Sequence, residues 1–107
     1  MNHRLHPSDP ILIVDDEEPI LTTTKISLNI SGFTNVETCS DSRAIEEMIA
    51  KRRYSVITLD LNMPYLSGQE LLPMIKAVHP DTSVIVVTGA GDLEVAVSCM
   101  KNGAYDY

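Results

Sequence analysis

No apolar run in this 107-residue chain extends beyond a few residues, the longest being of the kind Val84-Ile85-Val86-Val87. A bilayer-crossing helix needs about 20, so a transmembrane span is excluded. Met1 to Pro10 contains no apolar stretch of the sort that opens a secretory signal, and it reads as a flexible tail over residues 1–9. Positive charge is scarce: eight Lys and Arg against fifteen Asp and Glu leave a net charge of −7. Phosphate backbones are bound by basic surfaces, so a direct nucleic-acid ligand is not expected. There are only two cysteines, Cys39 and Cys99, far apart and without metal-ligand spacing. With no export signal they read as reduced structural thiols in a cytoplasmic protein. Repeats, internal linkers and low-complexity tracts are also missing, which leaves a single domain with one modest core.

What is present is an alternation of short β-branched runs and amphipathic stretches. Ile11 to Val14 is continuously apolar and ends at Asp15-Asp16, as suits a strand buried on both faces. Pro19 lies where a helix start tolerates it, and that helix is expected to reach about Ile30 and stop at Gly32, despite the weak helix formers Thr22 to Thr24. Val36 to Cys39 is a second strand. Asp41 can cap a helix that carries Ala44, Ile45, Met48 and Ile49 on one face. Tyr54 to Leu59 is a third strand, ending at Asp60. Ser67 and Glu70 have capping-box spacing ahead of a helix through Leu71, Leu72, Ile75 and Val78, whose first turns Pro73 should distort. Ser83 to Val87 is a fourth strand, followed by Thr88. Asp92 then precedes a helical face of Leu93, Ala96, Val97 and Met100; Gly103 stops it, and Ala104 to Tyr107 begins a fifth strand. Strands alternating with helices give an α/β fold, a doubly wound parallel sheet.

The polar residues that break the apolar pattern fall at strand ends: Asp15 and Asp16 after the first, Asp60 after the third, Thr88 after the fourth. Ligands of open parallel sheets bind beyond the carboxyl ends of the strands, where strand order reverses. In the order 2-1-3-4-5 the first and third strands are neighbours there, and three carboxylates converge. Like charges so placed raise one another's pKa unless a cation neutralises them. Magnesium, which prefers oxygen ligands and retains waters, suits a few carboxylates plus a phosphate. A carboxylate can itself act as a phosphoryl-accepting nucleophile. The bland alternative for Asp15-Asp16 is helix capping.

Ile-Val-Asp15-Asp16-Glu-Glu-Pro, Leu-Asp60-Leu-Asn62-Met63-Pro64 and Val-Val-Thr88-Gly89 together resemble the bacterial response regulator receiver domain, over nearly the whole chain from about Pro10 to Tyr107. The resemblance implies a flavodoxin-like fold and a role for each matching position. Asp60 is the phosphoacceptor, charged from a phosphohistidine on a sensor histidine kinase. Asp16 is a direct magnesium ligand, Asp15 assists through water, and Asn62 supplies a backbone carbonyl. Thr88 is the hydroxyl that turns in to the phosphoryl group, Gly89 leaves access to it, and Tyr107 is the aromatic switch. Gly68, with Met63-Pro64, shapes the loop after the acceptor. The domain so implied is a switch rather than an enzyme, limited to its own phosphoryl transfer and slow self-dephosphorylation.

The segment from Thr88 to Tyr107 further resembles receivers of enhancer-binding transcription activators. These carry an AAA+ ATPase and a DNA-binding domain downstream. Dimerisation through the region after Asp92 follows from the same likeness. The family's lysine, just beyond the position of Tyr107, is not in this chain, so the domain over 10–107 is expected to lack its C-terminal end. That leaves open a phosphorylation-independent interaction module as the alternative. A dehalogenase-like phosphatase would need a second acid where Asn62 stands, and a dinucleotide loop at Gly89-Ala90-Gly91 would need glycine where Glu94 stands.

Overall fold

In the computed structural model, residues 9–87 and 103–104 are described. Among the described residues four strands alternate with three helices: β1 (Ile11–Val14), α1 (Glu18–Ile30), β2 (Val36–Cys39), α2 (Ile45–Lys51), β3 (Val56–Asp60), α3 (Gly68–Val78) and β4 (Ser83–Val87). A 3-10 turn, Ser42–Ala44, leads into α2. All pairings are parallel, in the order β2-β1-β3-β4. This is the doubly wound order expected, as far as the described strands extend; the expected fifth strand, Ala104 to Tyr107, falls outside the described residues except for Ala104. The helix expected to follow Asp92 also lies outside them.

Side-chain alternation divides the core between the two sheet faces. Leu12 and Val14 point into the larger cluster with Ile57, Leu59, Val84 and Val86, covered by Ile45 and Ile49 of α2 and Leu71, Leu72 and Ile75 of α3. Ile11 and Ile13 point the other way, to Val36 and to Leu21 of α1. Strand β1 is therefore buried on both faces, as its unbroken apolar run requires.

The helices end where their residues dictate. Helix α1 has Pro19 in its first turn, and the exposed Thr22 and Thr23 are carried by the packing of Leu21 and Leu28 on the sheet. Tertiary packing here outweighs weak propensity. After α1, Gly32 takes φ 103°, a left-handed turn that lets the Phe33 amide donate to the Leu28 carbonyl at 2.9 Å. Asp41 accepts the Arg43 amide at 2.9 Å and so caps the 3-10 turn rather than α2 directly. The capping box at α3 forms in both directions, Glu70 N–H to Ser67 Oγ and Ser67 N–H to Glu70 Oε1. Pro73 leaves α3 continuous. The carbonyl it deprives of a partner is that of Gln69, on the exposed side where water can satisfy it.

Buried polar groups serve as cross-links. The Thr82 hydroxyl, 2% exposed, donates to the Tyr54 carbonyl at 2.7 Å, and His79 Nε2 lies 2.7 Å from the Ile49 carbonyl, tying the end of α3 to α2. His79, the C-cap of α3, thus docks that helix on α2. Among the described residues no buried side-chain nitrogen or oxygen lacks a partner. No described helix is long and apolar enough to cross a membrane.

Candidate functional site

Register brings the acidic residues together. Val14 pairs with Leu59, so the next residue of each strand, Asp15 and Asp60, emerges at the same rim of the sheet. Asp15 is buried, Asp60 half-buried and Asp16 exposed, and one carboxylate oxygen from each lies within 4.8 Å of the others. The capping alternative for the Asp15-Asp16 pair does not hold, because the N-cap of α1 is Glu17, with no side-chain cap bond. Asp15 instead accepts the Glu17 amide on Oδ1 at 2.9 Å, a turn that points its carboxylate along the rim. Asp60 is held alike: its Oδ1 accepts the Asn62 amide at 3.0 Å.

The electrostatics match this crowding. Burial pushes the Asp60 carboxyl above the usual carboxylate range, and the charges of Asp15, Asp16 and Glu17 push the same way; only the Asn62 amide opposes them. Glu17 was not singled out in the sequence. Its signal was contiguity, since it continues the acidic run into α1, but nothing in that run distinguishes a residue facing Asp60 from one facing solvent.

Gly68, the first residue of α3, packs directly on the acceptor strand. A Cβ there would stand 2.5 Å from the Asp60 carbonyl oxygen and 3.0 Å from Leu61 Cδ2. The glycine is therefore a steric requirement for laying α3 against the end of β3. The Leu61 amide donates to the Val87 carbonyl at 3.1 Å, which brings the end of β4 alongside the end of β3. Thr88, Gly89 and Tyr107 themselves lie outside the described residues.

A set of three convergent carboxylates, one of them raised by burial and by its neighbours, fits a hard divalent cation with oxygen preference better than a soft metal, since among the described residues no Cys or His joins the group.

The family model for the response regulator receiver domain matches residues 11–107. The C4-dicarboxylate transport transcriptional regulatory protein DctD of Pseudomonas aeruginosa is 33% identical over 97 residues, which cover 91% of this chain and 21% of that protein. The chain thus spans about a fifth of the length of that curated relative. Among solved structures, a response regulator receiver domain protein from Clostridium thermocellum superposes with a TM-score of 0.86 at 39% identity, covering 92% of this chain and 79% of that one. A response regulator protein from Burkholderia pseudomallei, with a phosphorylated aspartic acid, calcium ion and citrate, gives 0.84 at 26% identity, covering 94% and 58%.

Proposed function

The chain belongs to the response regulator receiver domain family, and from that membership we propose that it is a phosphorylation-operated switch with Asp60 as its phosphoacceptor. The observation that carries the reading is the meeting of Asp15, Asp16 and Asp60 at one rim of the sheet, with their carboxylate oxygens within 4.8 Å. The phosphorylated aspartic acid and calcium ion of the Burkholderia protein support it by likeness.

The chemistry follows from the acceptor's surroundings. Asp60 Oδ1 is engaged by the Asn62 amide, which leaves Oδ2 outside that bond to attack phosphorus. A phosphohistidine of a partner kinase supplies the phosphoryl group: the Oδ2–P bond forms, the N–P bond breaks, and the departing imidazole takes its proton from water. Magnesium, when bound by Asp15, Asp16, Asp60 and the Asn62 backbone carbonyl, supplies positive charge against the crowded carboxylates and the incoming phosphoryl oxygens. Asp15 and Asp16 hold the ion's place, and the Asp15–Glu17 turn fixes Asp15 before any ligand arrives. Thr88 then donates its hydroxyl to a phosphoryl oxygen, Gly89 leaves room for it, and Tyr107 changes position with Thr88. The signal passes to an output that controls transcription, as the name of the DctD relative suggests. A AAA+ ATPase and a DNA-binding domain, and pairing of two receivers, belong to the same proposal.

The test is incubation with acetyl phosphate, with and without Mg2+, followed by intact mass and peptide mapping. One phosphoryl group on Asp60, gained only with Mg2+, is the expected result; an unmodified protein under both conditions would favour the phosphorylation-independent module. Asp16→Ala is expected to remove the response to Mg2+ at concentrations that saturate the parent chain. Labelling of that variant that still rises with Mg2+ over the same range would take Asp16 out of the ligand set.

A further inference from the structure

Ser42 stands apart from the carboxylates, at the start of the 3-10 turn before α2, yet its side chain is only 2% exposed. Its hydroxyl is committed to the loop that follows the acceptor. Ser42 Oγ donates to the Pro64 carbonyl at 2.8 Å and accepts the Leu66 amide at 3.1 Å. Those two backbone groups flank Tyr65, which has φ 71°, a left-handed conformation uncommon for a residue with a Cβ. One hydroxyl therefore bridges both sides of the loop's least favourable residue.

The neighbours of Ser42 extend the grip. The Arg43 guanidinium lies 3.7 Å from the centre of the exposed Tyr65 ring. Arg43 is held in turn by Asp41, through Nε at 3.0 Å and Nη2 at 2.9 Å. Residues 41–43 thus hold residues 64–66 from a different element of the fold. Further restraints on this loop are the Asn62 amide on Asp60 at one end, the Ser67–Glu70 capping box at the other, and the packing of Met63 and Leu66 on the larger core cluster. Asn62 is exposed, so the bond its amide makes to the acceptor carboxylate competes with water.

We propose that Ser42 is a positioning residue for the phosphoacceptor site, its hydroxyl holding the loop so that the Asn62 backbone stays beside Asp60. The proposal rests on the phosphoacceptor reading above and assigns part of the site's cation affinity to a side chain that touches neither ion nor phosphate. Alanine at 42 leaves the Pro64 carbonyl and the Leu66 amide without their bridge. Tyr65 is then free to leave the left-handed region, and Asn62 moves with it. Outer-shell partners of metal ligands commonly change affinity by about 10- to 100-fold when removed.

The experiment is a Mg2+ titration of the 15N-labelled chain followed by NMR, with thermal melts of each variant in parallel. Ser42→Ala is expected to stay folded, shift the Asn62 and Tyr65 amides before any Mg2+ is added, and raise the half-saturating Mg2+ concentration by about ten-fold. Ser42→Thr, which keeps the hydroxyl, is expected to stay within about two-fold of the parent. An alanine variant with parental half-saturation overturns the assignment, and so does a threonine variant weakened as much as the alanine one. Failure of the underlying reading looks different: the parent chain itself would bind no Mg2+ and take no phosphoryl group.

Discussion

Asp60→Asn is expected to take up no phosphoryl group from acetyl phosphate and, at neutral pH without Mg2+, to melt at a higher temperature than the parent chain. The first effect follows from losing the nucleophilic carboxylate oxygen; the amide that replaces it cannot form the acyl phosphate. The second follows from the raised pKa of Asp60, whose causes are burial and then the neighbouring carboxylates. Above its folded-state pKa the parent holds a charge that the fold disfavours. In the window between the ordinary value of 3.8 and that raised value, the folded state binds more protons than the unfolded one, so stability falls as pH rises through it. The asparagine variant lacks this component. Its advantage should therefore be present at pH 7 and shrink as the pH falls through the same window. Asp60 is itself only half-buried and Asp16 is exposed, so solvent screening limits the gain to about 1 kcal/mol, a few degrees in melting temperature. Mg2+ should reverse the order by stabilising the parent more. Thermal melts at two pH values, with EDTA or Mg2+, check all of this. A variant that is labelled as well as the parent, or less stable at pH 7 without Mg2+, contradicts the assignment.

Gly68→Ala is expected to damage stability and site together. The added Cβ would meet the Asp60 carbonyl oxygen at 2.5 Å. That oxygen belongs to backbone paired with Val87 in the sheet and cannot turn aside as a flexible side chain would. Either α3 lifts from the end of β3 or the acceptor's peptide rotates. Overpacking of this kind costs about 1–3 kcal/mol. Both responses also move Asp60 against Asp15 and Asp16, so Mg2+ affinity should fall in parallel. Urea unfolding and Mg2+ titration of the one variant test the two halves of the claim. Parental values in both would mean that the contact yields more easily than its backbone partner implies.

What could be read in advance was whatever has a short period or a fixed offset. Ile11 to Val14, Val36 to Cys39 and Ser83 to Val87 show as strands because apolar β-branched residues cluster there, and Ser67 with Glu70 shows because a capping box spans one helical turn. The carboxylates at strand ends were legible for the same reason, once a parallel sheet was inferred. The bridge from Ser42 to Pro64 and Leu66 was not: serine before a helix already has an ordinary meaning, and a bond across more than twenty residues leaves no periodic trace. The Thr82–Tyr54 and His79–Ile49 cross-links were hidden likewise. Pro73 flags a weak point in α3, and the helix nevertheless runs unbroken through it from Gly68 to Val78.

Strand β1 is flanked on one side by β2 and on the other by β3, although β3 is made long after it. During synthesis, then, Ile11 to Val14 can pair with Val36 to Cys39 early, while the opposite edge of the same strand stays open until Val56 to Asp60 has left the ribosome. A nascent chain paused between those points exposes an apolar edge to other chains until β3 arrives to cover it. The strand that closes the edge, through Val56 to Leu59, ends in Asp60, so the acidic rim is assembled in the same event that ends the exposure.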